Sequence, residues 1–424
     1  MTSGASSPLT SEQLENATEC LSILRIEVDA ALQHLNHACT TGGHFSVGLL
    51  DNHQQVSYDL AFCVAELEAS SVMVKYATEE QHKDNITLDL SLCFCVENLR
   101  TVWQRLLNHA QELGLHRQKL LSLMATEPFS TFLDAQGTTT SLAAIGAELL
   151  ARANLRLPSG LGEEKDMIQD SFARFAEEVV MPQAEHIHRF DTDIPDNIIN
   201  GAAQMGCFGT CIPERFGGLM PDERHDSIGM LVVTEELSRG SLGAAGSLIT
   251  RPEIAARAIL SGGTEAQKNL WLPQLASGQK LAAISITEPD YGSDVASLIL
   301  KATPTEDGWL LNGAKTWCTF AGKADVVVVI ARTDPDRSIG HKGLSMFLVE
   351  KPRFEGHKFS YNNPQGGQLT GKAIPTIGYR GMHSFDLAFE NYFVPTGNLV
   401  GEHDGIGKGF YLTMAGLSGG RIQT

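Results

Sequence analysis

Apolar residues return every three or four positions in three stretches near the start of the chain. Leu21, Leu24, Val28, Leu32 and Leu35 form one stripe, and Val56, Leu60, Val64 and Leu67 form a second. Leu92, Val96, Leu99, Trp103, Leu106, Ala110 and Leu113 form a third, longer one. That period puts each set on one face of an α-helix, with its large side chains as core filler. Thr41-Gly42-Gly43 separates the first two stripes, and a polar segment around Glu79 to Asn85 separates the second and third. Short connections favour antiparallel neighbours, so residues 1–150 read as a helical extension folded into a small bundle. The stretch after the third stripe, including Ala135-Gln-Gly-Thr-Thr-Thr-Ser141, is less regular, and Pro158-Ser-Gly-Leu-Gly162 reads as a linker.

Ile168, Phe172, Phe175 and Val179 open a second helical region, residues 163–280, interrupted by the loop Ile212-Pro-Glu-Arg-Phe-Gly-Gly218. Near Leu281 the period changes. Ser297 to Thr303 is an expected strand, and Asp307-Gly308 an expected hairpin turn. Asn312-Gly313 reads as a second such turn, followed by Ala314 to Thr319. Asp325 to Arg332 has the length and branching of a buried strand; Leu344 to Val349 and Leu387 to Glu390 are two more. Residues 281–397 are thus expected to form an antiparallel, β-barrel-like middle domain set after helices, and the fold class is α+β. Around Gly405 a helix is expected to begin, with Phe410, Met414 and Leu417 on one face; Gly419 and Gly420 weaken it. Residues 398–424 then read as the start of a further helical domain, cut short at the C-terminus.

Composition narrows the function. A formal net charge of −18 over 424 residues argues against nucleic acid or an anionic membrane as the main partner, although a local basic pocket can coexist with it. The N-terminus has no basic n-region and no apolar h-region, and no apolar run approaches the roughly 18 residues of a membrane helix. A cytoplasmic protein is expected. Cys93 and Cys95 are two apart, Cys207 and Cys211 four apart, and His186 and His188 two apart. None of these pairs has a zinc or redox spacing, so no metal site is expected.

Two segments carry chemistry. Thr287-Glu-Pro-Asp-Tyr-Gly-Ser-Asp294 and Asn312-Gly-Ala-Lys-Thr-Trp-Cys-Thr319 closely resemble the two signatures of the acyl-CoA dehydrogenase family. Pro213-Glu-Arg-Phe-Gly-Gly218, Arg332-Thr-Asp-Pro, Gly343-Leu-Ser-Met-Phe-Leu-Val-Glu350 and Phe389-Glu390 fall in the same register. The resemblance covers about Glu163 to Thr424. It implies an all-α domain before the middle β-domain, FAD as cofactor, an acyl-CoA substrate, electron-transfer flavoprotein as partner, and a homo-oligomer in the intact family.

It also implies roles. Reduced flavin gains electron density at N1 and C2=O, so donors aimed there favour hydride acceptance. In the family these donors correspond to Ile286 and Thr287, with Ile284, Gly292 and Cys318 nearby in the cofactor set. Thr319 would bond near flavin N5, and Trp317 would pack on the ring and shield it from water. Ser293 would meet the flavin pyrophosphate and the thioester arm of the substrate. Taken singly, Trp317 could equally be a core residue and Ser293 a turn residue; together, at these spacings, they favour the flavin.

The family removes the α-proton of a thioester with a carboxylate while the β-hydride moves to flavin. Most members place that base in the last helical domain, and a minority place it directly before the Arg that corresponds to Arg421, where this sequence has Gly420. The base is therefore unassigned, and the chain alone is expected to bind FAD weakly and to be inactive. An oxidase or monooxygenase of the same fold, or a non-catalytic binding module, are the alternatives. The helical extension, Ile377-Gly-Tyr-Arg-Gly-Met382 and Gly420-Arg-Ile-Gln-Thr424 resemble the branch that oxidises methylsuccinyl-CoA, a branched acyl-CoA with a free carboxylate. Such a group needs a fixed cation. Arg251 in Leu248-Ile-Thr-Arg-Pro252 and Arg239 are the candidates, Arg239 having a structural ion pair as its alternative; Arg421 is expected among the substrate residues by the resemblance.

Overall fold

The computed structural model describes residues 8–80, 85–152, 159–224 and 226–423. The chain divides into two compact units, Met1–Gly160 and Leu161–Thr424. The segment between the second and third stripes, 81–84, and Pro158 of the expected linker lie outside the described residues.

In the first unit the three stripes become the long helices α1 (Pro8–Ala38), α2 (Gln54–Glu80) and α3 (Asn85–Asn108). Leu24, Val28, Leu60, Leu92, Leu99 and Leu106 meet in one core. Leu32 does not join them and is 38% exposed. It stands at the edge of a stripe whose centre runs through Ala17, Leu24, Ala31 and Leu35, all buried. The stretch read as irregular is helical on both sides of Gly137, as α4 (Phe129–Gln136) and α5 (Thr139–Ala151). Thr138 caps α5 by accepting the N–H of Ser141 at 3.0 Å. No residue of α5 is buried, so it carries no apolar stripe from which to read it.

The second unit opens with helices α6 (Glu163–Phe175), α7 (Met181–Phe190), α8 (Asp196–Gln204), α9 (Ser227–Ser241), α10 (Thr250–Gly262) and α11 (Glu265–Ala276). Eight strands follow: β1 (Ala282–Ser285), β2 (Lys301–Pro304), β3 (Gly308–Thr319), β4 (Val326–Arg332), β5 (Leu344–Glu350), β6 (Lys358–Asn362), β7 (Gln368–Ala373) and β8 (Ser384–Pro395). They order as β1-β4-β2-β3-β8-β7-β6, with β5 also paired to β4. Every residue of β4 is buried, which is why its sequence is an unbroken apolar run. Helix α12 (Gly409–Gln423) closes the described chain; Gly416 lets it approach the backbone of α10, where a Cβ would meet the Ile254 carbonyl oxygen at 2.8 Å.

Three strand readings change. The sheet is mixed: most ladders are antiparallel, but β1 runs parallel to β4, pairing Ala282 with Val326. The strand expected from Ser297 starts only at Lys301, because residues 295–297 form a short 3-10 turn. Asn312-Gly313 is no turn; it lies inside the twelve-residue β3. There the ladder with β8 is irregular between Phe389 and Tyr392, and the Asn312 side chain bonds across to Asn391 through Nδ2–Oδ1 at 3.1 Å. Gly313 holds φ 140°, which strains any side chain, and a Cβ there would crowd Leu300 at 3.1 Å. Strands β6 and β7 were not expected; β6 alternates as Lys-Phe-Ser-Tyr-Asn, but in β7 the position under Phe359 is Gly371, where a second side chain has no room.

Candidate functional site

The two motifs meet around a buried ion pair. Glu288 is 3% exposed and Lys315 1%. Lys315 Nζ donates to Glu288 Oε1 at 2.9 Å and to the Ile286 carbonyl at 2.7 Å. The Glu288 carboxylate also accepts the backbone N–H groups of Ile299 at 2.7 Å and Leu300 at 2.8 Å. Burial drives the Lys315 ammonium below its ordinary range, while Glu288 pulls the other way. Every charge here is bonded, as sealed ions require. A tight turn completes the knot, with Glu288 and Tyr291 exchanging both backbone hydrogen bonds at 2.9 and 3.2 Å. Glu288 and Lys315 were quoted in the motifs for their type; their role as the clamp between the motifs is a finding of the structure.

The clamp sets out the expected flavin residues along one seam. Thr316 N–H donates to the Thr287 carbonyl at 2.9 Å, which fixes β3 beside the Thr-Glu-Pro turn. The N–H groups of Ile286 and Thr287 and the Thr287 hydroxyl bond to no other described residue. Next to them Trp317 takes φ 58° and leaves its side chain 56% exposed. A left-handed tryptophan in a strand stores strain of about 1–3 kcal/mol and leaves a large ring half in water. Thr319 is nearly buried, and its hydroxyl shares a 2.8 Å hydrogen bond with Ser384, a residue the sequence did not single out. The side chain of Cys318 turns the other way: its thiol donates to Ser285 Oγ at 3.2 Å, and burial pushes it up to about 12. Ile284 is half-buried within β1. Neither side chain joins the exposed ring of Trp317.

Gly292 and Ser293 are exposed on the loop that leaves the turn. A Cβ on Gly292 would meet Thr287 Cγ2 at 3.9 Å, so the loop lies close to that threonine. Arg332 holds the loop's far end: its guanidinium donates to the carbonyls of Leu298 at 2.8 Å and Ala296 at 2.7 Å. Free donors, an exposed indole and an exposed glycine-serine loop fit a flat, hydrogen-bonding aromatic cofactor with a phosphate arm.

The three arginines separate. Arg239, on α9, is held by Glu236 at 2.8 Å and Glu177 at 2.9 Å, which keeps its guanidinium pKa above the ordinary value. It is the structural ion pair that the sequence left open. Arg251, in the first turn of α10, donates to the Ser247 carbonyl at 3.4 Å and faces the Tyr379 ring at 5.9 Å. No carboxylate among the described residues pairs with it. Arg421 is exposed on α12. Among the described residues no helix is long and apolar enough to cross a membrane.

Known proteins place this arrangement. Residues 162–279 match the model of the acyl-CoA dehydrogenase N-terminal domain, and residues 283–392 that of its middle domain. A (2S)-methylsuccinyl-CoA dehydrogenase of Cereibacter sphaeroides is 36% identical over 98% of this chain and 75% of its own length. A mitochondrial isovaleryl-CoA dehydrogenase of Solanum tuberosum is 34% identical over 60% of this chain, which spans 57% of that relative. Among solved structures, a glutaryl-coenzyme A dehydrogenase in complex with glutaryl-CoA superimposes with a TM-score of 0.55 at 29% identity, over 63% of each chain. A structure described as the electron transferring flavoprotein of Acidaminococcus fermentans gives 0.54 at 31% identity, over 63% of this chain and 64% of that one.

Proposed function

Because the chain belongs to the acyl-CoA dehydrogenase family, we propose that it binds FAD along the Thr287–Trp317–Thr319 seam and serves the α,β-dehydrogenation of an acyl-CoA thioester. The substrate class is a branched dicarboxylic acyl-CoA such as methylsuccinyl-CoA. The observation that carries the reading is the buried Glu288–Lys315 clamp, which joins two motifs so that free donors stand beside an exposed indole. The match to the Cereibacter enzyme supports the substrate class, since it extends through the helical extension as well.

FAD bound there supplies the hydride acceptor for the β-carbon. The protein's share is binding and electrostatics. Ile286 and Thr287 present N–H donors to the electron-rich edge, and Thr319, oriented by Ser384, presents a hydroxyl to the reacting edge. Trp317 covers the ring and excludes water. Ser293 and Gly292 meet the phosphate arm. Arg251 meets the free carboxylate of the acyl chain. No residue of this chain is proposed as the α-proton base. Electron-transfer flavoprotein as acceptor, and a homo-oligomeric assembly, belong to the same proposal.

The test is spectroscopic. Titration of FAD-loaded protein with acyl-CoA thioesters should perturb the flavin absorption, at lower concentration for a branched dicarboxylic thioester than for a neutral one. A flavin spectrum unmoved by every thioester would sink the reading. Rapid oxygen consumption on thioester binding would move it to an oxidase. A shift with no anaerobic bleaching would mark this chain as a binding module.

A further inference from the structure

We propose that Asp191, His357 and His383 form a divalent-metal site, selective for zinc, that braces the strand end carrying Ser384. The three side chains come from different segments: Asp191 ends α7, His357 precedes β6, and His383 precedes β8. Each offers one ligand atom, and these atoms lie within 4.8 Å of one another. His383 Nε2 is 3.1 Å from Asp191 Oδ1. His357 Nε2 is 3.2 Å from His383 Nε2 and 3.6 Å from Asp191 Oδ2. Ligands held at zinc–nitrogen and zinc–oxygen bond lengths in a tetrahedron stand about 3.3 Å apart. The separations found, 3.1 and 3.6 Å to the two different oxygens of Asp191 and 3.2 Å between the imidazoles, bracket that value.

The alternative is a simple hydrogen bond between the imidazoles. A head-on N–H···N bond, with both ring axes along the N···N line, would set the ring centroids about 5.5 Å apart. They are 4.5 Å apart at 86°, so the axes are bent well off that line. The edge-to-face pair is closer than the about 5.2 Å expected of two imidazoles on one tetrahedral ion, so coordination would turn the exposed His357 ring outward. Two imidazoles and one carboxylate are a common donor set for zinc and its first-row neighbours.

The surroundings complete a metal site. His383 Nδ1 lies 2.9 Å from Asp193 Oδ1, the carboxylate–histidine arrangement that fixes a ligand's tautomer and leaves Nε2 free to coordinate. Asp193 is held in turn by the Gly356 N–H at 2.5 Å, on the segment that carries His357. The Asp191 carbonyl oxygen, 3.0 Å from His357 Nε2, or a water, stands as fourth ligand. Arg380 approaches Asp191 only to 3.7 Å and spends its N–H groups on the carbonyls of Thr376 and His188. Asp191 and His383 hold φ of 54° and 36°. Left-handed backbone at two members of one cluster is strain of the kind that persists where a site over-determines it.

The consequence for the seam is direct. Phe320 N–H donates to the His383 carbonyl at 2.8 Å, and Ser384, the next residue, bonds Thr319. A metal on His383 would therefore stiffen the hydroxyl pair proposed to face the flavin. The residues act as positioning groups and touch neither cofactor nor substrate.

The experiment is zinc binding by the purified, tag-free chain after chelation and dialysis. The expected result is one zinc per chain by elemental analysis, and a cobalt-loaded form with tetrahedral ligand-field absorption. His357→Gln and Asp191→Asn should each weaken zinc by at least about 100-fold, and Asp193→Asn by about 10- to 100-fold. His357 is 48% exposed on its side chain, so its replacement leaves the fold intact even where a His383 variant does not. Zinc should raise the melting temperature of the unaltered chain and not that of His357→Gln. Substoichiometric zinc in the unaltered chain, or equal affinity in His357→Gln, overturns the proposal. The readout needs neither FAD nor thioester, so it stands or falls apart from the proposed activity.

Discussion

Two charged clusters of the second unit are built in opposite ways. Glu288 and Lys315 are sealed, with side chains 2% and 0% exposed, and each satisfies the other and the neighbouring backbone. Asp191, His357 and His383 grade from half-open to buried, and the two imidazole Nε2 atoms lie 3.2 Å apart beside one carboxylate. The first cluster is finished by its own residues. The second has the shape of a site finished by something else. A buried charge is informative for function only after its partners have been counted.

The sealed pair gives the largest expected effect. Lys315→Met leaves the Glu288 carboxylate buried with two backbone donors and no cation. The loss should be about 3–5 kcal/mol in urea unfolding. The double variant Glu288→Gln, Lys315→Met should recover a good part of it, because the stranded charge is gone. A single-variant loss under 1 kcal/mol would show that water reaches the pair.

The arginines repeat the contrast. Arg251→Ala should cost a carboxylated thioester about 2–5 kcal/mol of binding, hence more than tenfold, and leave a neutral thioester nearly unchanged. Arg239→Ala, which removes the cation shared by Glu236 and Glu177, should affect both thioesters alike. Equal losses in Arg251→Ala, measured by flavin-detected titration, would reduce Arg251 to the structural role of Arg239.

The members of the sealed cluster were in view because both sit in contiguous motifs, 27 positions apart, although their pairing was not read. The open one was not legible: His357 and Asp191 are 166 positions apart, and His383 lies 26 beyond His357. No spacing rule reaches across such distances. The same logic divides the fold. Helices with a buried stripe and the all-buried β4 were readable; α5 has no buried face, β7 places a glycine under an aromatic, and β6 alternates over only five residues. Asn312-Gly313 misled because the dipeptide that favours a turn also sits well opposite the bulge that β8 makes at Glu390-Asn391 against β3. Cys318 was placed with the cofactor by its position in the motif, whereas strand alternation turns its thiol inward.

Trp317 tests the seam at smaller amplitude. Trp317→Gly relieves a left-handed conformation and removes a ring that packs on little in the chain itself. Folding stability should stay level or rise, while FAD affinity falls roughly tenfold, about 1.4 kcal/mol, for the lost ring contact. A fall in melting temperature with unchanged FAD affinity would make Trp317 a core residue after all.

The smallest effect belongs to a histidine that resembles His383 without its imidazole neighbour. In the helical extension His109 Nε2 lies 2.9 Å from Asp59 and Nδ1 3.0 Å from Glu112. Burial alone would lower its pKa, but the bonds to Glu112 and Asp59 outweigh it and raise it above the ordinary histidine value. A raised folded-state pKa means that the folded unit binds the proton more tightly than the unfolded chain. The stabilisation is complete below the unfolded pKa, near 6.5, and is lost as pH rises through the higher folded value. Both carboxylates are partly in water, Asp59 27% and Glu112 56% exposed, so screening limits the gain to about 0.5–1 kcal/mol. Amide hydrogen exchange of α3 reads it locally. At about pH 6 the unaltered chain should protect α3 several-fold better than His109→Gln, and by about pH 9 the two should coincide. An advantage that persisted at high pH would mean that His109 acts through packing. Zinc should leave α3 exchange unchanged at either pH, because one imidazole between two carboxylates lacks the second nitrogen ligand that His357 supplies beside His383.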